Sequence, residues 1–168
     1  GAATAPLFRD SKGTTIAARN TTWLARLSSN KLLMLGSSLS DTELYDVSTE
    51  LWSAGPPMPL SGSKPGFAKV GTKYMVLGGT PGSLDTAFFD PATSTWSTGP
   101  KMTEAASEWD ALVLASGQVL INHGYTGFAL DLYDPGTNAF SSLAFPTRLS
   151  GAALGVLPGN KALIAGGY

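Results

Sequence analysis

The apolar residues of this chain fall in short runs that end at small residues. "KLLMLGS" (31–37), "KYMVLGG" (73–79), "QVLINHG" (118–124) and "KALIAGG" (161–167) are strand-length, and each ends at or beside a glycine. A shorter apolar stretch precedes each one: "WLARL" (23–27), "GFAKV" (66–70), "DALVL" (110–114) and "ALGVL" (153–157). Polar turns, "SSN", "GT", "ASG" and "PGN", join the members of each pair. The pattern predicts four β-hairpins. No run approaches the length of a membrane-spanning helix.

A second pattern follows three of these hairpins. "LYDVSTELW" (44–52), "FFDPATSTW" (88–96) and "LYDPGTNAF" (132–140) stand 44 residues apart. Asp46, Asp90 and Asp134 can each accept hydrogen bonds from backbone N–H groups just ahead and so close a turn. Pro91 and Pro135 pre-set the next backbone angle, and a large ring follows six residues past each Asp, at Trp52, Trp96 and Phe140. The unit is strand, turn, strand ending in glycine, loop, strand, Asp corner, strand with aromatic. Four antiparallel strands in about 44 residues is the size of one β-propeller blade.

The unit resembles the Kelch repeat, in which a Gly-Gly pair ends the second strand and a Tyr-Asp corner precedes a Trp in the fourth. Gly78-Gly79, Gly166-Gly167, Tyr45-Asp46, Tyr133-Asp134, Trp52 and Trp96 carry the likeness. The chain departs from the pattern at Gly36-Ser37, His123-Gly124, Phe89 and Phe140. The resemblance implies an all-β propeller and no single activity. It divides residues 1–168 into a single domain with blades at about 17–59, 60–103, 104–147 and 148–168 plus 1–16. The last blade is shared because "LFRDSKGTTI" (7–16) is a degenerate corner with Asp10 in the Asp place and Ile16 in the aromatic place. Ten residues separate Gly79 from Asp90, and Tyr168 plus residues 1–9 make the same ten. Three arrangements compete: a four-bladed ring, half of an eight-bladed ring made head to tail by a homodimer, or a piece of a longer propeller, and the matched count favours the first two over the third. Bulky Trp wedges favour the homodimer.

Composition narrows the function. Hydrophobic residues make up 43 % and charged ones 14 %, which predicts a packed domain rather than disorder. A net charge of −1 argues against a nucleic-acid partner, and no membrane association is expected. Twenty glycines and eleven prolines fit a turn-rich β protein, a balance common in secreted proteins. Kelch-type propellers include galactose oxidase, whose copper site needs two histidines and a cysteine joined to a tyrosine. One histidine and no cysteine remove that activity. No metal or other cofactor is expected, since one His without clustered carboxylates or thiols cannot complete a coordination shell. "GGTPGS" (78–83) lacks the lysine and helix of a phosphate loop.

The candidate site residues are those that break the repeat. "TEAASEWD" (103–110) puts Glu104, Glu108, Trp109 and Asp110 where the second repeat has "LSGSKPGF". In Kelch blades this approach to the innermost strand faces the channel or its rim. An aromatic beside carboxylates can stack on a sugar ring and accept from its hydroxyls, or act as general acid and base. The plain alternative is a solvated loop whose Trp packs on a neighbouring blade. Arg19, Lys64 and Arg148 stand at comparable places and with Glu108 would form a mixed-charge collar, suited to an anionic sugar or acidic peptide or ion-paired within itself. His123 replaces a repeat glycine, either as a ligand contact or as a polar group bonded at a strand end. Trp23 and Tyr125 also depart from the repeat. The repeated rings are core. The leading expectation is a non-catalytic module presenting loops to a protein or glycan. The alternatives are a carbohydrate-active enzyme of the mutarotase type, through Glu108 and Arg148, and a ligand-free repeat scaffold of designed or reconstructed origin.

Overall fold

The computed structural model describes residues 15–16, 22–36, 40–60, 65–80, 82–105, 110–123, 129–145 and 149–167. Among them there is no helix, and fourteen strands form four antiparallel sheets. The first sheet holds β1 (Thr22–Arg26), β2 (Lys31–Gly36), β3 (Glu43–Asp46) and β4 (Leu51–Ala54). The second holds β5 (Gly66–Val70), β6 (Lys73–Leu77), β7 (Thr86–Asp90) and β8 (Thr95–Thr98). In the third are β9 (Asp110–Val113), β10 (Val119–Asn122), β11 (Ala129–Asp134) and β12 (Ala139–Ala144). A two-stranded hairpin of β13 (Ala153–Leu157) and β14 (Lys161–Ala165) completes the set. Each sheet is a meander in chain order, consistent with a β-propeller-like arrangement. The corner expected at 7–16 lies outside the described residues except for Thr15 and Ile16.

Every apolar run named from the sequence forms a strand, and the Asp corners are built alike. Six residues separate the paired rings Tyr45 and Trp52, Phe89 and Trp96, and Tyr133 and Phe140. Those rings meet across the strands at centroid distances of 4.9, 5.0 and 5.1 Å. Asp46 Oδ1 accepts from the N–H of Ser48 at 2.8 Å and of Thr49 at 3.0 Å. Asp90 accepts from Ala92 N–H, and Asp134 from Gly136 N–H. Ser48 and Thr49 together bring the Asp46 carboxyl down to about 2. Four residues past each Asp the backbone turns left-handed, at Glu50, Ser94 and Asn138. That conformation strains any residue with a Cβ, Asn least.

Sheets stack face to face in chain order. Ala25, Leu33 and Leu35 of the first meet Tyr74, Val76 and Phe89 of the second. The opposite face of the second sheet, with Met75, Leu77 and Phe88, meets Val119, Ile121 and Tyr133 of the third. Leu120 and Leu130 from the third sheet's other face pack with Ala162 and Ile164 of the hairpin. Successive residues of β6 therefore serve different neighbours, and Tyr74 through Leu77 are all buried. That is why these strands read as continuous apolar runs rather than alternating ones. The innermost strands β5, β9 and β13 lie side by side.

The segments after β4 and β8 fold alike as well. Thr42 and Thr86 hydroxyls donate to the carbonyls of Pro56 and Pro100 at 2.7 and 2.6 Å. A Cβ on Gly55 or Gly99 would collide with those hydroxyls, so glycine is required at both places. Met58 and Met102 then enter the core. The Trp96 indole N–H crosses to the Pro56 carbonyl at 3.0 Å and links the second sheet to the first.

Candidate functional site at the loop end of the sheets

A meander has two ends. At one lie the Asp corners, all of one length; at the other the second strand of each sheet passes to the third. There Met34 and Glu43 bracket eight residues, Val76 and Ala87 ten, and Ile121 and Asp131 nine. The links between sheets also pass this loop end, as the opposed pair Asp110 and Asn122 marks it for β9 and β10. Loop length thus varies where loop chemistry varies.

Of the residues singled out in the sequence, Trp23, Glu104, Asp110 and His123 are described. Glu108, Trp109, Arg148, Arg19, Lys64 and Tyr125 lie outside the described residues. Asp110 opens β9 with its side chain exposed, and Glu104 is half-buried on the linker before it. His123 follows the last residue of β10 and has no exposed surface. Its Nε2 lies 3.4 Å from Oδ2 of Asp131, also fully buried. Thr103 completes the cluster from the linker after β8: its N–H donates to Asp131 Oδ2 at 2.8 Å and its hydroxyl to Oδ1. Burial pushes the Asp131 carboxyl up, but His123 and the two Thr103 donors outweigh that and hold it below its ordinary value.

This trio does not carry nucleophilic chemistry. A serine- or threonine-type nucleophile gives its proton to an imidazole, whereas Thr103 donates to the carboxylate. His123 and Asp131 have no exposed surface for a substrate atom to reach. What the cluster does is fix a chain path: Asp131 pins the linker that leads through Glu104 towards Asp110. Asn122 has a matching task on the opposite face, its amide donating to the Leu149 carbonyl at 3.0 Å just ahead of β13. Glu43, three residues before its corner like Asp131, is buried and accepts from Ile16 N–H at 2.7 Å. Three buried polar groups therefore hold the segments that lead into sheets.

Asp131, Thr103, Glu43 and Asn122 escaped sequence reasoning. The signal was present: the third residue before each corner reads Glu43, Ala87, Asp131, an acid in two of three apolar strands. Trp23, singled out as irregular, donates to the Pro65 carbonyl at 3.1 Å and stacks on Phe67. Its indole is thereby used in joining the first two sheets.

The corner end bears the clefts. One of about 560 Å³ opens between the second and third sheets, with Val70, Phe88 and Tyr133 below and Lys73, Thr98 and Asn138 around it. Lys73 is held 3.4 Å from Asp90, and the Tyr133 hydroxyl donates to Asn138 at 3.0 Å. A second, of about 410 Å³, lies between the first two sheets and includes Arg26, Lys69, Tyr74 and Asp90. Among the described residues no three His, Asp or Glu side chains gather as metal ligands would. The chain matches no family model, and no curated protein matches it.

Proposed function

We propose that the chain is a Kelch-type propeller unit that works as a binding module, presenting its loop end to a protein or glycan without turning it over. The single observation behind this reading is the contrast between the two ends. Corners repeat at one length with one hydrogen-bond plan, while the opposite side, counted between equivalent register positions, runs to eight, ten and nine residues. A rigid scaffold with uniform turns at one end and diversified loops at the other is the usual division between support and recognition. The polar cluster supports it by holding the linker of 103–110 at Thr103. Glu108, Trp109 and Asp110 then supply carboxylates and a ring of the kind that recognises sugar hydroxyls or an extended peptide.

A glycan array followed by titration of the full chain tests this. Trp109→Ala and Glu108→Gln are expected to weaken whatever binding is found by at least about tenfold, since ring stacking and charged hydrogen bonds each carry that much. Thr98→Trp, which fills the cleft at the corner end, is expected to leave it unchanged. Binding that Thr98→Trp abolishes and the other two spare would move the site to the opposite end and overturn the reading.

A further inference from the structure

Every sheet inside the stack has both faces covered, and the two terminal faces do not. The repeat register shows what is missing. Lys161 pairs with Leu157 as Lys73 pairs with Val70, so Leu157 stands at the place of Val70 and Leu163 at the place of Met75. Val70 and Met75 are 8 % and 0 % exposed against the third sheet; Leu157 and Leu163 are 39 % and 51 % exposed. At the other end Leu24 pairs with Met34 as Phe67 pairs with Val76. Phe67 packs against the first sheet, yet Leu24 is 58 % exposed, with the exposed Ile16 on the segment that donates to Glu43. One end of the stack thus carries an uncovered forward face, and the other a backward face that is buried at Met34 and Glu43 but open at Leu24. These are the two halves of an interface the chain already makes three times.

The free edge of β14 points the same way. Among the described residues no third strand pairs with it, although Gly166 and Gly167 take the left-handed turn that Gly78 and Gly79 take before β7. Among the described residues Leu157, Leu163 and Leu24 are all exposed, so they do not cover one another.

We propose that these faces are covered by a second copy of this chain, head to tail: the hairpin β13–β14 of each copy packs on the first sheet of the other. Two such contacts close a two-fold pair in which no apolar face remains exposed, the outcome closed assemblies favour over open chains. Exposed Leu157, Leu163, Leu24 and Ile16 then form the same kind of contact as Val70, Met75 and Phe67. This inference stands apart from the binding role, which concerns the loop end.

Light scattering on the eluting full chain is the test. The expected mass is twice the 17.3 kDa of one copy. Leu163→Lys and Leu24→Lys are each expected to weaken pairing by roughly a hundred- to ten-thousandfold, the worth of one buried leucine at each of the two contacts. Circular dichroism and melting of the monomer should stay unchanged, because both side chains are already exposed in one chain. Mixing the two variants is expected to restore pairs, since one of the two contacts in a mixed pair carries neither substitution. A monomer at every concentration, or pairs indifferent to both changes, overturns the proposal. So do pairs broken by Leu163→Lys alone with no rescue on mixing, which would mean hairpin against hairpin. Higher oligomers that grow with concentration also overturn it, showing an open chain of copies.

Discussion

The first-to-second and second-to-third interfaces share one backbone plan and are filled in opposite ways. Where the second sheet has Gly78 and Ala87, the third has His123 and Asp131; where the chain approaching the second has Pro59, that approaching the third has Thr103. One interface is closed by apolar packing and the Trp96 indole bond to Pro56. Its counterpart buries a carboxylate and an imidazole together, with the Thr103 hydroxyl bonded to the carboxylate from the linker. The apolar version shows that the fold needs no charge at this place. The polar version has a separate effect, tying the linker of 103–110 to β11 by two hydrogen bonds.

The sharpest way to break this contrast is to remove the carboxylate. Asp131→Ala takes the carboxylate from the buried His123 and unties Thr103, and is expected to lower unfolding free energy by about 3–5 kcal/mol in denaturant titration. With His123→Ala added, the loss should fall short of the sum of the two single losses by about 1–3 kcal/mol, because the partners share one interaction. The reverse transplant, Ala87→Asp, should cost about 3 kcal/mol or more. Gly78 has no side chain and Pro59 no N–H, so neither replaces the His123 and Thr103 donors.

Acid offers a second handle on the same group. A carboxyl lowered in the folded state contributes stability above its unfolded value, near 3.8, and loses it as pH falls through the folded value. The wild type should therefore lose stability below about pH 4, and Asp131→Ala should lose less over that window; melting temperatures from neutral pH downward measure the difference. A parallel slope in both proteins would assign acid sensitivity to the exposed corner carboxylates, among them Asp46.

Smaller effects probe the apolar interface. Gly99→Ala drives a methyl into the Thr86 hydroxyl and the Phe88 ring and should cost about 1–3 kcal/mol. Trp96→Phe removes the indole bond to Pro56 and should cost about 1 kcal/mol beyond the lost ring area. Ser94→Gly relieves a left-handed residue in an exposed corner and should raise stability by roughly 0.5–1 kcal/mol. A loss there would mean that the corner is held open by something other than backbone preference.

These comparisons also mark what the sequence made visible. Corners and second strands were legible because local chemistry decides them: an Asp that bonds the backbone just ahead, and a run apolar at every position since both faces are covered. The polar cluster was hard to see for the same reason. In a strand buried on both sides, an acid at Asp131 reads as one more outward-facing residue of "ALDLYD", and its partners Thr103 and His123 lie 28 and 8 residues away. The exposure of Leu24 and Leu163 was equally hidden, for both look like their buried equivalents. Of the site candidates, Trp23, Glu104, Asp110 and His123 could be placed. The buried state of His123 depends on Asp131, a long-range contact that no local pattern announces.

Among the described residues every hydrogen-bonded ladder joins strands that are neighbours along the chain, none reaching past its own sheet. A sheet accordingly needs nothing from residues downstream of its last strand to complete its backbone bonding. During synthesis Thr22–Ala54 has all its ladder partners before Gly66 leaves the ribosome, and each later group adds to a surface already formed. Growth by accretion of this kind keeps loop closures short, and it leaves the newest apolar face waiting for a cover at every stage.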